Sequence, residues 1–278
     1  MGIDLGEVAA RACRIRHWCY LLAGCDQSHL ASGGPEVNIV LKTMIIIHFL
    51  RALAHFLRIF VGSFEVYGRE NIPESGPYIV VINHMSKVDP PLVLITLPPL
   101  RLRFFAGESW RKHLIFGTLM RGGGAVYIRR GEADRKALRE AFHALEDGSV
   151  FALAPEGTRS KVGALIKARD GAAYLASRSN VTLVPLGIVN TDQVGKNLLS
   201  LRRTRMIVNV GPTFSLPDIG RRPKGTDLSA YTHLIMVHIA AQLPERHWGY
   251  YADSPALKAL FAGEDPWPHC LAAEKSPI

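Results

Sequence analysis

In the stretch INHMSKVDPP, Ile82 to Pro91, a histidine and an aspartate stand five residues apart with two prolines behind them. An imidazole beside a carboxylate can act as a general base, because the carboxylate fixes one ring nitrogen and leaves the other to take a proton. Within one regular helix, residues five apart diverge by about 140°, so His84 reaches Asp89 only if the chain bends between them. The preceding apolar run YIVVI reads as a buried strand, and Pro90 and Pro91 suit the first turn of a helix continuing through LVLITL. The intervening residues then form a strand-to-helix loop, which supplies the bend. Two plainer assignments compete: Asp89 as a helix N-cap and His84 as a core histidine bonded to a backbone carbonyl.

Three further stretches fall at the ends of expected strands, where α/β folds place their sites. GGGAVYIRRG delivers Arg129 and Arg130 just past a strand, and APEGTRS carries Glu156, Gly157, Thr158 and Arg159 after SVFAL. VPLG sets Pro185 inside an apolar strand, an unusual place because proline removes a ladder hydrogen bond. Each stretch alone is weak, since RR is commonly a surface pair and PEGTR commonly a turn. There is no His-Glu-x-x-His, paired-cysteine or clustered-carboxylate pattern to suggest a metal. Ser86 and Ser160 could serve as nucleophiles, but no Gly-x-Ser-x-Gly surrounds either.

Stepping along the chain, strand-like runs lie at 78–82, 103–107, 125–129, 149–154, 182–189 and 205–211. Helix-like segments separate several of them, and DLSAYTHLIMVHIAAQL forms a later helix ending at Pro244. This alternation indicates a single α/β domain with a mixed central sheet covered by helices. The expected organisation is a poorly ordered extension over 1–35, with Met44 a candidate first residue, an amphipathic helix over 36–61, a catalytic domain over 62–253 and a tail over 254–278.

The net charge of +9 calls for a polyanionic partner, whether nucleic acid, an anionic membrane or a phosphorylated substrate. From Arg101 to Arg139 ten Lys or Arg stand against three acids, yet nothing reads as a recognition helix or an aromatic-studded basic strand, so nucleic acid is disfavoured. Cys13, Cys19, Cys25 and Cys270 follow no zinc or disulfide spacing, none falls in the apparent core, and a reducing compartment fits. The first 35 residues lack a signal-peptide pattern.

The segment Val37–Val61 is apolar, but Lys42, Arg51 and Arg58 interrupt it, which argues against a span. His48, Arg51, His55 and Arg58 recur at helical spacing and share one face, with Ile, Phe and Leu on the other. The expectation is an interfacial helix, its basic side toward head groups and its apolar side in the acyl layer.

The order His-x4-Asp, Gly…Arg, Pro-Glu-Gly-Thr-Arg-Ser and Val-Pro resembles the glycerolipid acyltransferase family typified by 1-acylglycerol-3-phosphate acyltransferase, over about Val61 to Asp253. That resemblance implies transfer of a fatty acyl group from acyl-CoA or acyl carrier protein, a co-substrate rather than a bound cofactor, to a lysophospholipid hydroxyl at the cytoplasmic face of a membrane. It implies His84 as base and Asp89 as its orienting acid. Arg130 and Arg159 would bind the acceptor phosphate, Glu156, Gly157 and Thr158 would shape the acceptor pocket, and Pro185 would line the acyl side. The chain departs from the family in two places: Gly107 stands where many relatives carry lysine, and Arg129-Arg130 where many carry Asp-Arg. Arg129 would supply a replacement cation for the contact that Gly107 leaves out, and acceptors other than lysophosphatidic acid, including glycerol 3-phosphate, stay open.

Overall fold

The computed structural model describes residues 35–98, 101–129 and 134–273. Seven strands form one sheet in the order β1-β7-β6-β2-β5-β3-β4. These are β1 (Gly62–Tyr67), β2 (Tyr78–Ile82), β3 (Leu102–Gly107), β4 (Ala125–Ile128), β5 (Val150–Leu153), β6 (Leu183–Val189) and β7 (Thr204–Val210). Strand β2 lies between β5 and β6, parallel to both, and all five of its residues are buried. Continuous burial on both faces explains why YIVVI is uninterrupted Ile and Val rather than an apolar-polar alternation. The antiparallel β6–β7 pair makes the sheet mixed, as expected. Among the described residues the strand unforeseen from sequence is β1, whose alternation of Ser63 and Glu65 with Phe64 and Val66 is short and follows directly on the long apolar helix segment.

The helices are α1 (Pro35–Val61), α2 (Asp89–Thr96), α3 (Leu114–Gly122), α4 (Arg135–Glu146), α5 (Gly171–Ser179), α6 (Val194–Leu199), α7 (Gly225–Ala240), α8 (Pro255–Phe261) and α9 (Trp267–Ala273). Apolar layers fill both faces of the sheet. Ile79 and Val81 pack with residues of α4, α5 and α7 on one side, and Val80 and Ile82 with residues of α2 on the other. Beyond Asp253 the chain forms two further helices, up to Ala273. Helices α8 and α9 pack on α7, burying Ala256, Leu257 and Cys270, and the ring of Trp267 stacks on Tyr231 at 4.9 Å. Cys270 is therefore a core residue, against expectation, and burial pushes its thiol up to about 12.

Helix α1 spans the amphipathic segment and begins at Pro35; the rest of the 1–35 extension lies outside the described residues. Its polar stripe divides instead of facing outward together. Arg51 turns inward, donating from Nη1 to the carbonyl of Leu94 at 2.8 Å and to that of Leu97, while Arg69 reaches Ile95 O. These groups lie at the C-terminus of α2, where the helix leaves carbonyls unpaired and a cation is favoured. Ile47 is buried against the domain, whereas Ile45, Phe49, Phe56, Ile59 and Phe60 are exposed along the opposite face. Among the described residues no helix is long and apolar enough to cross a membrane.

Candidate active site

Parallel strands β2, β5 and β6 end at one edge of the sheet, and the candidate residues gather there. After Ile82 the chain leaves β2 through Asn83, whose buried amide accepts from Ile188 N at 2.7 Å and donates to Ile188 O at 2.8 Å. This pins the base of the loop to β6. The next residue, His84, holds its Nδ1 2.8 Å from Asp89 Oδ2. The bend expected from the proline placement is present: α2 begins at Asp89, and the carboxylate folds back over the loop rather than capping its own helix. The same Oδ2 accepts from Met85 N at 2.8 Å and Ser86 N at 2.7 Å. Asp89 is fully buried at the positive end of the α2 dipole, so its charge is compensated by three N–H groups and the helix. A carboxylate on Nδ1 selects the Nδ1–H tautomer and leaves the Nε2 lone pair free to accept a proton.

The second loop, after β5, is bonded to the first. Glu156 is buried, and its two oxygens accept from His84 N at 3.1 Å and Ile166 N at 3.2 Å. His84 O in turn accepts from Ser160 N at 2.7 Å. Burial pushes the Glu156 carboxyl up to about 7, its two N–H donors pull the other way, and the negative Asp89 adds a smaller upward push. Glu156 is thus a brace between the two loops. Gly157 follows with φ +68, a conformation open to glycine at no steric cost, and turns Thr158 and Arg159 out to solvent. The Ser160 hydroxyl donates to Ala164 O at 2.6 Å and is buried, which suits a loop staple and not a nucleophile.

Residues 63–189 match the family model described as Acyltransferase, and the matched span contains the His84–Asp89 pair and its Glu156 brace. That segment carries the acyltransferase domain. Several relatives carry the name 1-acyl-sn-glycerol-3-phosphate acyltransferase, among them the following three. The Bacillus subtilis protein is 21% identical over 63% of this chain and 85% of its own length. The chloroplastic protein of Arabidopsis thaliana is 26% identical over 63% of this chain, and the human alpha protein 31% identical over 48%. The matches span about half the length of these two longer relatives, 55% and 48%. The crystal structure of the 1-acyl-sn-glycerophosphate acyltransferase PlsC from Thermotoga maritima shares the fold, with a TM-score of 0.56 and 22% identity over 80% of this chain and 89% of that one.

The remaining expected residues of this acyltransferase are spread along the same edge. Arg129 is exposed at the end of β4, its N–H donating to Asp134 Oδ2 at 3.1 Å, and Arg130 lies outside the described residues. Strand β4 stands three positions from β2, so Arg129 leaves the sheet about 14 Å from the histidine strand, at ~4.8 Å per strand. Arg159 leaves from β5, immediately beside β2. Gly107 is buried at the end of β3, paired with Ile128. Pro185 is buried in β6 opposite Val81, below the loop that carries His84. Its carbonyl accepts from Gly211 N where the β6–β7 ladder ends, so the missing N–H costs one terminal bond and no interior one. Asn83 and Ile166 escaped the sequence analysis. The asparagine directly before His84, closing a buried strand, is the signal that could have found the first; Ile166 acts through its backbone and leaves none.

Proposed function

We propose that this acyltransferase moves a fatty acyl group from acyl-CoA or acyl carrier protein to the free hydroxyl of 1-acylglycerol 3-phosphate, forming phosphatidic acid. The observation that carries the chemistry is the 2.8 Å contact of His84 Nδ1 with a fully buried Asp89. His84 Nε2 takes the hydroxyl proton as the oxygen attacks the thioester carbon, and Asp89 stabilises the imidazolium that results. When the tetrahedral intermediate collapses, the carbon–sulfur bond breaks and the imidazolium returns its proton to the leaving thiolate. Ester and thiol leave, with His84 neutral again. The acceptor supplies the hydroxyl that a serine supplies in a Ser-His-Asp triad.

Arg159 is the phosphate anchor on this reading, because the Gly157 turn presents it from the loop bonded to His84 and a guanidinium fits a phosphate in two-pronged fashion. Arg129 adds positive charge farther along the edge, Arg130 is a second expected phosphate cation, and Thr158 faces the acceptor beside Arg159. The exposed stripe of α1, where Phe56 and Phe60 pack edge to face at 5.3 Å, rests in the cytoplasmic surface of the bilayer that holds the acceptor. No nucleic acid, metal or bound cofactor enters the cycle.

The test supplies lysophosphatidic acid in vesicles with labelled acyl-CoA or acyl carrier protein, to wild type and to His84→Ala. Phosphatidic acid from wild type alone is expected, with Arg159→Ala raising the acceptor KM. Equal turnover by His84→Ala refutes the base, and turnover of glycerol 3-phosphate in preference to the lysolipid refutes the acceptor.

A further inference from the structure

Helix α6 ends in an arrangement that the catalytic reading leaves unused. Leu201 N–H donates to Leu198 O at 3.1 Å and Arg202 N–H to Asn197 O at 2.7 Å, while Leu201 itself has φ +54. This is the Schellman termination, whose left-handed position is ordinarily glycine because a Cβ there is strained. Here it holds a leucine that is 95% exposed and gains no packing in return. Leu199 is 89% exposed and Leu198 half exposed beside it. Strain without packing means that the fold does not account for the side chain.

Charge and position say what does. Lys196, Arg202, Arg203 and Arg205 flank the leucines, and no acid occurs between Asp192 and Asp218. Arg205 is paired with Glu65, and Arg203 donates from Nη2 to Ile59 O at 3.0 Å, tying the loop to the end of α1. The loop that carries the leucines is thereby held beside the end of α1, where Phe56, Ile59 and Phe60 are exposed. Topology places both beside the chemistry. Strand β1 runs parallel to β7, β7 antiparallel to β6, and β6 parallel to β2, so Gly62, Thr204 and the carboxyl end of β2 share one edge. The loop stands two strands, about 10 Å, from the strand leading to His84.

We infer that the 196–203 loop is a second membrane-inserting element: Leu198, Leu199 and Leu201 enter the acyl layer of an anionic leaflet, and Lys196, Arg202 and Arg203 meet its phosphates. The exposed stripe of α1 restrains rotation about the helix axis only to within the stripe's own width. A second contact beside it narrows that rocking and holds the catalytic edge toward the lipid. Protruding leucines between cations fit a bilayer, whereas a protein partner calls for a broader closed surface.

This inference rests on the membrane reading of α1, and the experiment separates the two. Full-length wild type, Leu199→Asp with Leu201→Gly, Lys196→Gln with Arg202→Gln, and Phe56→Asp with Phe60→Asp are compared by co-sedimentation with phosphatidylcholine vesicles, with and without phosphatidylglycerol. The leucine variant is expected to partition at least about tenfold more weakly. Its melting temperature should hold or rise, because glycine relieves the left-handed strain, so a loss of binding cannot be read as a loss of fold. Turnover of a short-chain, water-soluble acceptor should not change. The Lys196, Arg202 variant should lose most of the preference for phosphatidylglycerol. Wild-type partitioning by the leucine variant, with the phenylalanine variant impaired, overturns the inference and leaves α1 on the membrane. Failure of wild type to bind vesicles overturns both. A dimer-to-monomer shift of the leucine variant with unchanged vesicle binding assigns the leucines to self-association and overturns it too.

Discussion

Replacing Asp89 by asparagine separates its charge from its shape. The amide oxygen can still accept from Met85 N, Ser86 N and the His84 ring, which Asp89 Oδ2 now serves at 2.7 to 2.8 Å. The amide nitrogen then occupies the place of Oδ1, which makes no hydrogen bond to the protein, so no existing contact is lost. What goes is the charge facing the imidazolium. Two unit charges about 4 Å apart at an effective dielectric of about 20 attract by about 4 kcal/mol. The asparagine dipole restores part of that, leaving a loss of roughly 3 to 4 kcal/mol, or about 10²- to 10³-fold in rate. Single-turnover acyl transfer on saturating acceptor should fall by that factor in Asp89→Asn, with a melting temperature within a few degrees of wild type. Asp89→Ala should behave differently. It strands the buried Met85 N–H, at about 1 to 3 kcal/mol, and the half-buried Ser86 N–H and ring N–H at less, and so costs stability as well as rate. Because Asp89 acts through His84, Asp89→Asn in a His84→Ala background should add little. A wild-type rate in Asp89→Asn, or full additivity with His84→Ala, refutes the dyad.

Three other outcomes follow from the loops that hold the dyad. The Glu156 carboxyl is raised from 4.5 to about 7, so between those values the folded state binds more protons than the unfolded, and stability falls as pH rises across the window. The contribution, about 3 kcal/mol when complete, is present below pH 4.5 and gone above 7; denaturant unfolding at pH 5 and 8 should show this fall in wild type and not in Glu156→Gln, and parallel curves refute it. Gly157→Ala places a Cβ 3.3 Å from Arg169 Cδ at φ +68, and should lower unfolding free energy by about 1 to 2 kcal/mol, measured by urea titration. Asn83→Ala leaves the buried Ile188 N–H and C=O without partners and should cost roughly 2 to 5 kcal/mol, with refolding yield and acyl transfer falling together.

Much of this protein is legible in its sequence where the signal is local. The uninterrupted apolar run of β2, the prolines opening α2 and the loop between them give the His84–Asp89 approach before any coordinates, because a five-residue bend leaves few ways for a histidine and an aspartate to lie. The Glu-Gly-Thr-Arg turn reads as a turn for the same reason: glycine at positive φ is a local requirement. Other features depend on partners distant in the chain. Glu156 serves as a brace only because β5 pairs with β2 and brings its carboxylate to His84 N, 72 residues away. Arg51 looks like one member of an exposed basic stripe until α1 is seen to lie across the end of α2, where unpaired carbonyls draw it inward. Helices α8 and α9 read as a tail because each is only seven residues long, too short to show a stripe, and docking on α7 completes the surface that buries them. Residue types and spacing determine what the groups at the sheet edge can do as acid, base or cation. Which of them meet there is decided by strand order, since hydrogen-bonded pairing of β2 with β5 and β6 alone sets the loops side by side.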